Sequence, residues 1–371
     1  MSDERIRPIV MPKWGLSMSE GKVTNWLKPV GARLSLGDEI IEVETDKIAG
    51  VVQAGEAGTL RRVIGEPAAT YPVKALLGVI ATDDVSDAEI DAYVAGYETP
   101  AADADDEQEA RSRYEFAETT AGSIRYARRG EGTETIVLVH GFGGDLDNWL
   151  FNIDTLAAKA RVYALDLPGH GQSTKTLSES SLTGLSSALI GFMDAVGVDS
   201  AHLVGHSMGG AVVLQTALST PERVKSLTLV CSAGLGQEIN SAYIDGFVAA
   251  ATRRELKPVL EQLFDDPGLV SRQLVDDLLK YKRLDGVSEA LSSLAGTLFA
   301  NGRQTGVLAG DIDKVQQPVQ VVWGANDKII PSSHATTSGK ARVEVIDGAG
   351  HMVQMEKASR VNELILAHVV G

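Results

Sequence analysis

The run Gly205-His206-Ser207-Met208-Gly209, with Gly210 behind it, constrains this chain more than any other stretch. A glycine on each side of a serine lets the backbone turn sharply from a strand into a helix and leaves the hydroxyl at the apex. The flanks fit that turn: Ala201 to Val204 reads as a buried strand and Ala211 to Leu218 as a helix. Around it, strand-like runs alternate with helical patterns from Tyr114 onward: Ile136 to Val139, Val162 to Leu165, His202 to Val204, Leu227 to Val230, Val319 to Trp323 and Val343 to Ile346. The alternation predicts a mostly parallel sheet with helices on both faces and functional loops at the strand ends.

Three of those loops carry chemistry. His140-Gly141-Phe142-Gly143-Gly144 follows the first run and leaves backbone N–H groups free. With the N–H of Met208, that of Phe142 forms a candidate oxyanion hole for an attacked carbonyl. Gly324-Ala325-Asn326-Asp327 and Asp347-Gly348-Ala349-Gly350-His351 follow the last two runs. The order Ser207, Asp327, His351 resembles that of the α/β-hydrolase family. The resemblance implies Ser207 as nucleophile, His351 as general base and acid, and Asp327 as the group that orients His351. The other histidines lack the Gly-x-Gly-His placement after a late strand and read as structural or solvated. Asp347 sits nearer to His351 in sequence, but at a strand end, and is the weaker orienter. Residues 235 to about 311 break the alternation with helical segments such as Ile244 to Ala251 and Leu274 to Leu279, where the family carries a cap. Lys280, Lys282 and Arg283 in that region are a candidate seat for phosphates.

The N-terminal stretch is organised differently. Residues 21 to 45 and 58 to 82 match at a constant offset of 37 positions. Gly21 falls on Gly58, Val23 on Leu60, Trp26 on Val63, Leu27 on Ile64, Leu36 on Val73, Ile40 on Leu77, Val43 on Ile80 and Thr45 on Thr82. Short apolar runs broken by Gly and Pro predict a small all-β module of two related halves, with Glu44-Thr45-Asp46-Lys47-Ile48-Ala49-Gly50 at a hairpin between them. This stretch resembles the lipoyl domain of 2-oxo acid dehydrogenase-type acyltransferases over about residues 6 to 85, which implies lipoate on Lys47. Biotin carriers resemble it too, but surround their lysine with methionines, where this chain has Asp46 and Ile48.

Ser86-Asp87-Ala88-Glu89 has capping-box spacing, and Ile90, Tyr93, Val94 and Tyr97 recur at helical spacing, which predicts a short amphipathic helix. From Glu98 to Arg113 the chain turns to Ala, Pro and acid, a linker whose coil dimension is about 20 to 24 Å. The expected organisation is therefore a lipoyl-type domain over 1–85, a helix and acidic linker over 86–113, and an α/β-hydrolase domain over 114–371. A net charge of -16 argues against nucleic acid and anionic membrane as partners. The acidic, polar start, the lack of a long apolar run and a single cysteine in an apolar stretch, Cys231, predict a cytoplasmic protein with an inert core thiol.

The two modules in this order resemble the acetyltransferase (E2) components of acetoin dehydrogenase complexes. That implies an acetyl group moving from lipoyl-Lys47 to CoA through acyl-Ser207. It also implies a thiamine-diphosphate E1, a flavin-dependent E3, a lipoate ligase or transferase, and assembly into a complex or homo-oligomer. No peripheral-subunit-binding segment and no His-x-x-x-Asp-Gly catalytic signature of ordinary E2 enzymes is visible. Two other readings stand beside this one: a serine hydrolase of esters, thioesters or C–C bonds carrying a lipoyl module, and a carrier or scaffold with a silent hydrolase domain. No metal site is expected.

Overall fold

The computed structural model describes residues 5–14, 18–45, 49–100, 114–336 and 339–370. The chain divides into two compact units, Met1–Ser112 and Arg113–Gly371.

Among the described residues the small unit has eight strands: β1 (Ile6–Val10), β2 (Glu20–Trp26), β3 (Arg33–Leu34), β4 (Glu39–Glu44), β5 (Ala49–Gln53), β6 (Gly58–Val63), β7 (Thr70–Pro72) and β8 (Leu76–Ala81). They form two four-stranded sheets in the orders β1-β8-β6-β3 and β5-β4-β2-β7. The repeat is visible in the strands themselves, since β2, β3 and β4 fall on β6, β7 and β8 at the same spacing. The short strand of each half pairs into the sheet of the other: β3 on β6, and β7 on β2. Matched apolar pairs from the two halves meet in one core, Val23 with Leu60, Ile40 with Leu77 and Val43 with Ile80. The symmetry fails at the surface, where Leu36 is 75% exposed while its counterpart Val73 packs on the core.

In the β4–β5 hairpin Glu44 pairs with Ala49. Lys47, with Asp46 and Ile48, lies outside the described residues, as does the linker over 101–113. Helix α1 (Asp87–Gly96) starts at Ser86 with the capping box formed. Its Ile90, Tyr93 and Val94 pack with Ile6, Leu76 and Val79 of the same unit, and Tyr97 Oη donates to Lys74 O at 2.8 Å. The amphipathic face is thus covered by its own module.

The large unit is an eight-stranded sheet in the order β16-β15-β14-β13-β11-β12-β10-β9. Its strands are β9 (Glu115–Thr119), β10 (Gly122–Arg129), β11 (Thr135–Val139), β12 (Arg161–Leu165), β13 (Ala201–His206), β14 (Val224–Val230), β15 (Val319–Gly324) and β16 (Arg342–Ile346). Six are parallel neighbours, as the alternation predicts. The antiparallel pair β9–β10 at one edge is not evident from hydropathy, because β10 carries Arg125, Arg128 and Arg129. Arg125 is buried there against the fully buried Asp166, Nε to Oδ2 at 2.6 Å, which neutralises a charge that would otherwise keep that strand out of the core.

The helices are α2 (Ile153–Ala157), α3 (Leu182–Ala195), α4 (Met208–Ser219), α5 (Ser241–Ala249), α6 (Arg253–Leu260), α7 (Arg272–Lys282), α8 (Val287–Leu298), α9 (Val353–Glu356) and α10 (Ala358–Val370). Helices α5 to α8 lie between β14 and β15 and form the expected cap. Among the described residues no helix is long and apolar enough to cross a membrane.

Candidate active site

Strand β13 ends at His206, α4 starts at Met208, and Ser207 joins them at φ 53° and ψ -119°. A non-glycine residue there costs about 1 to 3 kcal/mol and persists only where its surroundings impose it. The imposing contacts are backbone bonds: Ser207 N–H donates to Val230 O at 2.9 Å, and Ser207 O accepts from Gly210 N–H and Ala233 N–H, each at 2.9 Å. The glycines of the motif are required by close approach. A Cβ on Gly205 would lie 2.3 Å from Gly209 O, and one on Gly209 would lie 2.4 Å from Val139 O.

The glycine-rich loop after β11 lies against this turn, since a Cβ on Gly141 would be 3.0 Å from Ser207 Cβ. His140 pins the loop: Leu167 N–H donates to Nε2 at 3.0 Å, so Nδ1 carries the proton donated to Gly141 O at 2.7 Å. Among the described residues, neither Phe142 N–H nor Met208 N–H donates a hydrogen bond. That of Met208 is one of the orphan donors at a helix start, where the dipole also favours negative charge.

Asp327 and His351 arrive from the ends of β15 and β16. His351 Nδ1 and Asp327 Oδ2 are 2.7 Å apart, with both side chains buried. The other carboxylate oxygen, Oδ1, accepts from Ile329 N–H at 2.8 Å and Ile330 N–H at 3.0 Å. Burial opposes charge on Asp327, but the His351 imidazole and those two amides outweigh it and hold the carboxyl below its usual range. The charged carboxylate thereby keeps the His351 proton on Nδ1, leaving Nε2 free as an acceptor. Asp347 is exposed and takes no part in this bond.

Two neighbours were not singled out as part of this arrangement by the sequence. His206, the residue before Ser207, donates from Nε2 to His351 O at 2.9 Å, with the two rings 4.8 Å apart. Burial pushes its imidazole down to about 3, so it stands uncharged beside His351. Cys231 lies just after β14 at φ 43°, and its Sγ, Asp327 and His351 all come within 4.8 Å of one another. Burial, then the Asp327 charge, pushes the thiol well above its usual range, so it stays protonated as the inert residue the sequence predicts. Neither residue has a signal in periodicity; only the packing of three strand ends brings them in.

The cap reaches the site through aromatic rings. Phe247 of α5 and Phe299 after α8 pack edge-on to Phe142 at centroid distances of 6.0 and 5.6 Å. The basic residues of the cap are mostly committed elsewhere. Lys282 donates to the carbonyls of Phe247, Val248 and Ala250 and so closes the end of α5, while Lys280 pairs with Asp277 at 2.9 Å. Of the three residues in the candidate phosphate seat, Lys282 is thus already engaged by three helix-end carbonyls.

The alpha/beta hydrolase fold family matches residues 134–358, and the biotin-requiring enzyme family of biotin/lipoyl modules matches residues 7–80. Among solved structures, a meta-cleavage product hydrolase from Pseudomonas fluorescens IP01 superposes with a TM-score of 0.63 at 25% identity, covering 68% of this chain and 96% of its own. A 2-hydroxy-6-oxononadienedioate/2-hydroxy-6-oxononatrienedioate hydrolase from Paraburkholderia phymatum is 30% identical over 66% of this chain and 89% of its own length. Relatives that span both modules are more similar. The dihydrolipoyllysine-residue acetyltransferase component of the acetoin cleaving system of Cupriavidus necator is 54% identical over 99% of this chain and 98% of its own. That of Pseudomonas putida is 49% identical over 98% of both. These two relatives thus match the chain across both its modules and over nearly their whole length, and the chain belongs to the family of dihydrolipoyllysine-residue acetyltransferase components of acetoin cleaving systems.

Proposed function

We propose that this chain passes an acetyl group from a lipoyl group on Lys47 to CoA, with Ser207 carrying it between the two. The observation that carries the reading is the Asp327–His351 pair at 2.7 Å, linked by the His206 Nε2–His351 O bond at 2.9 Å to the residue before a serine held at φ 53°, in a chain that also holds a lipoyl-type module. A lipoyl group on Lys47 supplies the acyl thioester when it is loaded. The β4–β5 hairpin suits that load, because its paired ends, Glu44 and Ala49, enclose a connection that contains one lysine.

Ser207 Oγ bonds to the thioester carbonyl carbon while His351 Nε2 takes its proton. The N–H groups of Phe142 and Met208 receive the negative charge on the carbonyl oxygen, an interaction that strengthens in the transition state. As the C–S bond breaks, His351 returns the proton to the departing sulfur. His351 then takes the proton of the CoA thiol, whose sulfur bonds to the acyl carbon, and Ser207 leaves and recovers the proton. No atom is oxidised or reduced. Asp327 fixes the His351 tautomer throughout and stabilises its charged form.

Partners follow from the relatives' role as one component of a cleaving system. A thiamine-diphosphate E1 supplies the acetyl group, a flavin-dependent E3 reoxidises the dithiol, and a lipoate ligase or transferase loads Lys47.

The test is to give the full chain acetyl-dihydrolipoamide with and without CoA, and to follow the acetyl group together with the mass of the Ser207 peptide. Acetyl-CoA should form only with CoA, and acetyl-Ser207 should accumulate without it. Water is the rival acceptor, favoured by the hydrolase relatives of the large unit. Free acetate released at a rate that CoA does not change would establish that reading instead. Mass analysis of the Lys47 peptide from lipoate-fed cells tests the carrier, and lipoate on a different lysine would refute it.

A further inference from the structure

We infer that the length of the acyl chain is selected by a narrow apolar recess between the serine turn and the cap, with Leu298 and Phe299 as the residues that exclude longer chains. The inference rests on Ser207 being the acyl carrier. The recess is lined by residues that adjoin that serine. Met208, the next residue, and Ala211, one turn along α4, form one wall. Ala233, whose N–H donates to Ser207 O at 2.9 Å, forms another. From the cap, Leu298 at the end of α8 and the adjoining Phe299 close it. The Phe299 ring stands edge-on to Phe142 at 5.6 Å and 82°, so this wall is tied to the same glycine-rich loop that offers a candidate oxyanion donor.

The lining is chemically plain. Gln304 brings a polar side chain, but its Oε1 accepts from Gly234 N–H at 2.7 Å and its Nε2 donates to Glu238 O at 2.8 Å. Apart from backbone groups, what remains is hydrocarbon, from Leu182, Met208, Ala211, Ala233, Leu298 and Phe299. The space holds about one water-sized group, yet a water needs two to four polar partners to settle there. A methyl group meets neither obstacle. The lining residues also approach one another closely: Leu182 Cδ1 would be 2.6 Å from a Cβ on Gly306, and Ala211 Cβ would be 3.2 Å from one on Gly234. A third or fourth carbon must therefore push against Leu298 and Phe299. Pockets that distinguish a single methylene reach roughly 10- to 200-fold.

The experiment gives the full chain acetyl-, propionyl- and butyryl-dihydrolipoamide and reads both acyl-CoA formation and the mass of the Ser207 peptide. Wild type should favour acetyl over butyryl by at least about tenfold. Phe299→Ala and Leu298→Ala should each raise the butyryl-to-acetyl ratio by a similar factor. The ratio is independent of the fraction of folded enzyme, and Phe299→Leu serves as a milder variant should Phe299→Ala fold poorly. Equal rates for the three chains in wild type, or an unchanged ratio in all the variants, overturns the assignment while leaving acyl-Ser207 in place. Absence of any acyl group on Ser207 with all three donors removes the nucleophile, and this inference with it.

Discussion

The small unit and the large unit reach stable folds by opposite routes. In the small unit, partners in the core lie one repeat apart, and the candidate functional residue falls in sequence between Glu44 and Ala49, a pair of the β4–β5 hairpin only five positions apart. In the large unit the candidate catalytic groups come from turns that follow β13, β15 and β16, and the nearest two lie 24 residues apart. A carrier residue has only to be presented, whereas a triad needs its atoms held at hydrogen-bond distance. Substitutions should therefore act on one step in the first unit and on geometry in the second.

The sharpest separation comes from Ser207→Ala and Lys47→Arg. Ser207→Ala should lower transfer from free acetyl-dihydrolipoamide to CoA by about 10⁶-fold. Lys47→Arg should abolish turnover in the assembled system and leave transfer from the free donor at the wild-type rate. Loss of the free-donor reaction in Lys47→Arg would break the division of labour between the units.

Next in size is Asp327→Asn, for which about a 10⁴-fold loss of rate with an intact fold is expected, since the wrong His351 tautomer is favoured. Asp327 also couples to pH. Its carboxyl is held below the usual range in the folded chain, so its charge contributes stability above that range and loses it as pH falls through the lowered value. The stability gap between wild type and Asp327→Asn, measured by urea denaturation, should be full at neutral pH and close in acid. A gap that widens in acid would contradict the assignment.

Arg125→Ala tests the sheet edge. It leaves Asp166 buried without its main partner, and should cost about 3 to 5 kcal/mol in chemical denaturation of the large unit. The matching change in the small unit, Arg62→Ala, removes a half-exposed pair with Asp91 at 2.8 Å and should cost no more than about 1 kcal/mol. Equal losses at the two sites would undo the contrast between a buried pair that carries a strand into the core and a surface pair that decorates one.

Legibility in the sequence follows the same division. The serine turn, the six parallel strands and the cap are readable because each is a local pattern, and Ser207, Asp327 and His351 stand out as candidates because their loop positions and chain order resemble those of the α/β-hydrolase family. The repeat likewise shows which apolar residues of the small unit meet. What was not readable depends on charge cancelled across space: β10 hides behind its arginines until Asp166 is placed beside Arg125, and Lys282 reads as a free cation until the carbonyls at the end of α5 surround it. His206 and Cys231 belong to the same class, since only the convergence of strand ends sets them beside His351 and Asp327.

The exchange of β3 and β7 between the two sheets bears on how the carrier survives its work. A module whose halves merely stacked could open like a book, one half melting while the other held. Here each half completes the sheet of its neighbour, so melting either removes an edge strand and half the core from the other. Partial opening gains little chain entropy for the contacts it loses, which makes unfolding of the module an all-or-none event. If the module carries the proposed lipoyl group between active sites, this cooperativity protects it from proteolysis between visits, because half-open states that proteases recognise are scarcely populated.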